Sequence, residues 1–334
     1  MLVVRPAGPA DFDALMEMAV LSGRGFTSLP TDTPTLRQRL AVSEASFTGT
    51  IAPIEAWYTL MLEDDATGEV AGVAGVKAGV GLKRPHFSFR VVTFAQSSPT
   101  LGMRFDHKAL VLVNECAGWS EVGSLFLKPE RRSGGAGRLL AQSRYLLIGA
   151  DPARFADTVL AELRGWFDDD GSCPFWETVG MRFFRLPFDE ADLMSASTDG
   201  QFILDLAPRH PIYTELLPDQ VRETIGRVHR EGEAARSMLE TEGFRFHGLV
   251  DIFDAGPTVS CPRDEIRTVK EARELRVEIA DSVGGDLALV STSVLSRFRA
   301  VRAPVEFKED RVLISADAAR ALKVDKGEIV RVKA

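Results

Sequence analysis

Between Glu121 and Arg144 the chain reads EVGSLFLKPERRSGGAGRLLAQSR. Val122, Leu125, Phe126 and Leu127 make a short apolar, β-prone run, Pro129 ends it, and Leu139, Leu140, Leu146 and Leu147 then recur at helical spacing. The turn between holds Arg131, Arg132, Gly134, Gly135 and Gly137. Glycines let backbone N–H groups approach an anion with no Cβ in the way, and the free amides and dipole of a helix start favour negative charge. A strand, a basic glycine-rich turn and a helix in this order make a phosphate site inside an α/β fold.

Two familiar phosphate loops do not match. No Gly-Lys-Ser/Thr follows, as a Walker A loop requires, and Leu140 stands where the dinucleotide fingerprint has its third glycine. A strand-to-helix turn with glycines for tight packing is the competing account of the same residues. Read as Arg-x-x-Gly-x-Gly, residues 132 to 137 resemble the acyl-CoA pyrophosphate loop of the GNAT acyltransferases, with Arg132, Gly135 and Gly137 as the cradle.

The 334 residues, 45% apolar and 26% charged, suffice for two domains or one core with a sizeable appendix. Forty basic against 48 acidic residues give a net charge of −8, which argues against nucleic acid held by a general positive field. A polyanionic ligand must then meet local charge such as Arg131, Arg132 and Arg138. Cys116, Cys173 and Cys261 have neither zinc spacing nor disulfide density, and the histidines form no metal motif, so a reducing compartment and no metal are expected. Polar residues soon follow the first apolar ones, and Lys77 breaks the Val70–Leu82 run. The expectation is a cytoplasmic protein with neither signal peptide nor membrane span.

Strands are expected at Leu2–Arg5, Trp57–Glu63, Glu69–Val80 and Thr158–Leu163, and helices at Asp11–Leu21 and Thr35–Ala45. Residues 175–184, FWETVGMRFF, and 238–247, MLETEGFRFH, echo one another. Each reads as a helix end, a glycine stop and a strand, by shared helix-ending chemistry or as a sign of a second, partial acyltransferase-like unit. Past Pro262 charged helix-prone residues lead to short β-prone pieces such as Leu287–Val290 and Val312–Ser315, a small β-rich module.

Longer phrases carry a more specific likeness. TSLP (27–30), PFW with GMRFF (174–184), HPIY (210–213), IGRVH (225–229), ARSMLETEGFRF (235–246) and DIFDAGPT (251–258) stand in the order and spacing of the arginine N-succinyltransferase family, which the chain resembles over nearly its whole length. The resemblance implies an α/β, or α+β, fold in which helices flank a GNAT-like mixed sheet. It divides as an acyl-CoA domain over 1–185, a second partial unit over 186–262 carrying His229, and the β-rich module over 263–334. It also implies transfer of succinyl from succinyl-CoA, a co-substrate and not a resident cofactor, to the α-amine of L-arginine, by a homo-oligomer or an α/β hetero-oligomer. At Asn114–Gly118 the chain has NECAG in place of Asn-Asp-His-Thr-Gly, a departure that bears on the choice of amine, arginine or another such as ornithine. A non-catalytic acyl-CoA- or arginine-binding subunit is the reading from another class.

Amine attack on a thioester needs a neutral nucleophile, a stabilised oxyanion and protonation of the thiolate. The family's acyl-CoA site maps onto Leu125, whose backbone can meet the thioester carbonyl while its side chain packs in the core. Where many GNAT enzymes place a proton-donating tyrosine, the two echoes have Trp176 and Leu239. His229 matches the family's proton donor, and an imidazole exchanges protons near neutral pH. His210, before Pro211, reads as a capping or packing residue. A covalent route through Cys116 or Cys173 would need an activated thiolate that no neighbouring base supplies. Glu162 and Arg164, in AELRG, face the cleft or pair with each other or with solvent.

Overall fold

The chain alternates strands and helices up to residue 162, and the computed structural model, which describes residues 1–23, 26, 28–197 and 200–334, shows how they assemble. Strand β1 (Leu2–Pro6) leads to α1 (Phe12–Ser22) and α2 (Thr33–Thr48), the latter capped by the Asp32 carboxylate, which accepts from Thr35 N at 2.9 Å. Next come β2 (Trp57–Asp64), β3 (Val70–Lys77), a long hairpin of β4 (Ser88–Ser98) and β5 (Met103–Val113), and β6 (Ser120–Leu127). Helix α3 (Ala136–Ala150) buries Leu139, Leu140, Leu146 and Leu147, the residues whose spacing marks it, and β7 (Thr158–Glu162) returns beside β6.

Short helices follow, α4 (Met181–Phe184), α5 (Phe188–Ser197), α6 (Gln201–Leu206) and α7 (Asp219–Arg222), with the two-residue β8 (Ile212–Tyr213) between the last two. Then come α8 (Glu233–Glu242), β9 (Arg245–Asp251) and β10 (Pro257–Pro262). The remainder is α9 (Arg267–Glu271), β11 (Arg273–Ala280), β12 (Leu287–Thr292), β13 (Ala300–Pro304), β14 (Glu306–Lys308), β15 (Arg311–Ser315), α10 (Ala316–Leu322) and β16 (Ile329–Lys333).

All the strands join one mixed sheet, in the order β14-β15-β11-β16-β12-β13-β1-β2-β3-β6-β7-β10-β9-β4-β5-β8. Among the described residues only β6/β7 and β11/β15 are parallel pairs. Strands of residues 1–185 and of 186–262 lie side by side, β10 against β7, and Leu239, Phe244 and Val259 share one core with Leu139, Leu140 and Val159. The β-rich C-terminal region has its own core, including Val290, Val312, Ile314 and Val332, and Val3 of β1 packs into it.

The two echoes diverge. In the second, Gly243 takes φ +105°, its N–H bonds back to Glu240 O, and β9 begins at once, as expected. The first contradicts the expectation: Gly180 has helical φ −56°, the helix runs on through Phe184, and no strand follows there. A Cβ on Gly180 would overlap the Trp176 ring, so this glycine serves close packing and stops nothing. The charged, helix-prone stretch past Pro262 is helical only to Glu271, because from Arg273 it pairs with β16 and, from Arg276, with β15. No helix among the described residues is long and apolar enough to cross a membrane.

Candidate active site

Strands β6 and β7 pair only at Ser120 with Val159 and Glu121 with Leu160. Beyond that they part. On β6, Ser124 takes φ +49°, rare for a residue with a side chain, where the register with β3 shifts between Val73 and Gly75. The Ser124 hydroxyl donates to Ser28 O at 2.9 Å, which brings the 28–30 loop against the bulge; Thr27 of the TSLP phrase lies outside the described residues. On the other side β7 follows β10: Leu163 N donates to Pro257 O, and Gly165 N donates to Asp254 Oδ2 at 2.7 Å. The result is a split in the sheet, walled by 122–127 and by 162–165.

Leu125 stands on the first wall, next to strained Ser124, its side chain packed against the main core. At the end of this wall the chain turns through Pro129–Arg131 into α3. Gly134 and Gly135 take φ +65° and +85°, a left-handed pair that L side chains resist, and Gly135 is the N-cap of α3. Gly137 has no neighbour nearer than 3.9 Å to its missing Cβ, so the first helical turn is open. Arg132 is exposed, its Nε donating to Leu127 O at 3.1 Å, while Arg131 is taken up by Glu69.

His229 belongs to the second wall. Its N–H donates to Arg164 O at 2.8 Å, its Nδ1 accepts from Glu231 N at 3.2 Å, and its ring meets Phe167 edge-on at 6.3 Å. It caps the short turn ahead of α8, with Nδ1 as the acceptor. Burial, and then the Arg164 cation, hold its pKa below the ordinary 6.5.

Arg164 stacks on Phe167 at 4.7 Å, and its buried Nε has no hydrogen-bond partner; its ion pair, with Glu231, is long at 3.9 Å. Glu162 pairs with His86 Nε2 at 3.0 Å. Thus neither AELRG charge pairs with the other. Burial opposes the charge on both Glu162 and His86, but each holds the other ionised: the carboxylate lies below its usual pKa and the imidazole above. Deeper in, Asp251 and Asp254 hold protons more readily than ordinary carboxylates, burial being the main cause.

His86 and these aspartates were not singled out from sequence as site residues, although DIFDAGPT contains the aspartates. NECAG lies beside them: Asn114 Oδ1 accepts from His86 N at 2.9 Å, and Glu115 pairs with Arg90. Trp176 and Leu239 are both buried in the core, away from any proton-donating role. His210 is a correction: it lies exposed in the bend before β8, and no described helix has it as a cap. Burial pushes the Cys116 and Cys173 thiols up to about 12, which opposes a thiolate route.

A sheet split beside a glycine-rich helix start, with a partly buried histidine opposite, fits the acyltransferase class of enzyme. The family model for the arginine N-succinyltransferase beta subunit matches residues 2–268, and that for its C-terminal domain matches 273–334. Arginine N-succinyltransferases of Escherichia coli (strain 55989 / EAEC) and Shigella flexneri are each 38% identical over 333 residues, 99% of this chain and 97% of the relative. The solved arginine/ornithine succinyltransferase subunit AI from Pseudomonas aeruginosa superposes with a TM-score of 0.91 at 35% identity, covering 100% of this chain and 98% of that one. The chain belongs to the arginine N-succinyltransferase family.

Proposed function

We propose that the chain transfers succinyl from succinyl-CoA to the α-amine of L-arginine in the split between β6 and β7. The observation that carries this reading is His229, anchored by its backbone to Arg164 O with a pKa depressed by its surroundings. A neutral imidazole can take a proton from the ammonium of the incoming amine. The freed amine attacks the thioester carbon, and the oxyanion meets backbone amide at the Leu125 bulge. As the C–S bond breaks, the imidazolium returns its proton to the thiolate, and the regenerated imidazole takes the second proton from the new amide nitrogen and passes it to solvent, so that amide, free thiol and one proton are the products. Arg132, Gly135 and Gly137 hold the pyrophosphate. Residues 1–262 act as one acyltransferase unit around this split, with 263–334 as the appended module.

Arg164 supports the acyl choice, since a carboxylate would satisfy its orphaned Nε. A charge-assisted hydrogen bond is worth about 1.5–3 kcal/mol, so succinyl-CoA should exceed acetyl-CoA in kcat/KM by roughly 10- to 150-fold. Arg164→Ala should erase most of that ratio. Thiol release from the purified chain with both donors and a panel of amines tests it; equal specificity constants would remove the succinyl assignment and leave the acyltransferase. The NECAG segment beside His86 and Glu162 favours a second reading for the amine, with ornithine as the alternative acceptor, and the same panel decides between them.

The pyrophosphate assignment has its own test. Gly135→Glu places a carboxylate and a Cβ at φ +85° in the loop, and the acyl-CoA dissociation constant should rise at least tenfold, about 1.4 kcal/mol, with the fold kept. Unchanged affinity would move the site elsewhere. Self-association, or pairing with a paralogous subunit, is supported by the apolar side chains bared near the β4–β5 hairpin tip and beside it: Leu101 is 68% exposed and Leu216 82%.

A further inference from the structure

The phosphate loop does not stand alone at the start of α3. A cavity of about 380 Å³ opens there between α3, α8 and the C-terminal module. Arg138 of α3 and Arg302 of β13 line it, with apolar surface from Met238, Tyr145 and Leu289. Arg302 comes so close to the loop that a Cβ on Gly135 would collide with its guanidinium.

Charge makes this arrangement unusual. A cation at a helix N-terminus faces the positive end of the dipole and is disfavoured there. Arg138 lies in the first turn of α3 and Arg302 against its N-cap, and among the described residues neither has an ion pair or a side-chain hydrogen bond. The other cations on the cavity are differently placed: Arg267 pairs with Glu271 at 2.9 Å, and Lys333 lies 3.6 Å from the same carboxylate. Glu242, the acidic side chain on the lining, is occupied by Thr268 and Gln142. Two guanidiniums without a partner among the described residues thus stand at this cavity, with Glu242 and the Ala334 oxygen engaged by other groups and apolar wall beside them for a flat ring.

The geometry points to the C-terminal module as part of the acyl-CoA site: the phosphorylated nucleotide end of acyl-CoA occupies this cavity, with Arg302 on one of its phosphates. The inference rests on the reading that the 132–137 loop binds acyl-CoA, and adds that β13 supplies a cation from some 165 positions further along the chain. A guanidinium offers paired N–H donors that match phosphate oxygens, so its loss is felt directly in affinity.

The test is calorimetric titration of the full chain with CoA and with 3′-dephospho-CoA. Arg302→Ala should weaken CoA at least tenfold while the melting temperature stays near that of the parent. If the loss disappears with 3′-dephospho-CoA, Arg302 holds the 3′-phosphate; if it persists, Arg302 holds the pyrophosphate. Arg302→Gln, close in size and uncharged, should reproduce the loss and serves if the alanine variant does not fold. CoA affinity within twofold of the parent in a folded variant overturns the inference. Loss of binding in Gly135→Glu with binding kept in Arg302→Ala would leave the loop assignment standing and remove only the module from the site, whereas a parent chain that binds no CoA removes both.

Discussion

Replacing His229 by alanine should lower kcat by about a hundredfold to ten-thousandfold, the usual worth of a positioned acid-base group, with acyl-CoA affinity nearly unchanged. The imidazole acts on the amine and the thiolate, and neither is present when acyl-CoA alone binds. The pH profile gives a second readout. His229 must begin neutral, so kcat/KM should fall on the acid side, with an apparent pKa below 6.5 because burial and Arg164 disfavour the imidazolium. Below that value the histidine is already charged and cannot accept a proton; above it the limb is flat. In the alanine variant the limb should vanish. Near-normal turnover in the variant would reduce His229 to the cap that its Nδ1 contact with Glu231 N also makes it.

Trp176→Ala should cost about 3–5 kcal/mol of folding stability, the range for deleting a large buried aromatic side chain. Its indole is 1% exposed, stacked on Phe253 at 5.2 Å and on Phe184 at 5.5 Å, and its Nε1–H donates to Leu186 O at 3.0 Å. Removing it would leave a cavity among rigid rings that cannot collapse, and would also strand the Leu186 carbonyl. Urea unfolding of parent and variant measures the difference. A loss below 1 kcal/mol would mean that the 175–188 segment contributes little to the fold. The same packing accounts for Gly180, whose hydrogen faces the indole where any larger group would overlap it.

The parts of the fold legible in the sequence are those governed by local pattern. The β6–turn–α3 unit was readable because apolar spacing, a proline and glycines at positive φ each act within a few residues. The α8–Gly243–β9 passage was readable for the same reason. The β4–β5 hairpin was not: Ser88–Ser98 and Met103–Val113 pair along their whole length, yet much of β4 and β5 beyond the sheet is exposed, so the alternation of a half-buried strand is weak. Gly180 misled because a glycine after a helical run reads alike whether it ends the helix or admits a ring.

Of the proposed site, Gly135, Gly137, Arg132 and His229 could be named from motif and family likeness; the loop lies at the end of one wall of the split, and His229 belongs to the other. His86 and Arg302 could not, since His86 meets Glu162, and Arg302 meets Gly135, only through sheet pairing across long sequence separations. No spacing rule carries that information.

Strand β1 lies between β2 and β13, with Val3 opposite both Glu63 and Val301. On a ribosome adding about 5–20 residues per second, on the order of 15–60 s pass between Val3 and Val301. Throughout that interval one edge of β1 offers unpaired amides and carbonyls, the surface on which misplaced strands add. A nascent chain therefore carries β1 half-covered until β13 is made, and a chain interrupted before β13 would leave that edge open to chaperones and to its own neighbours.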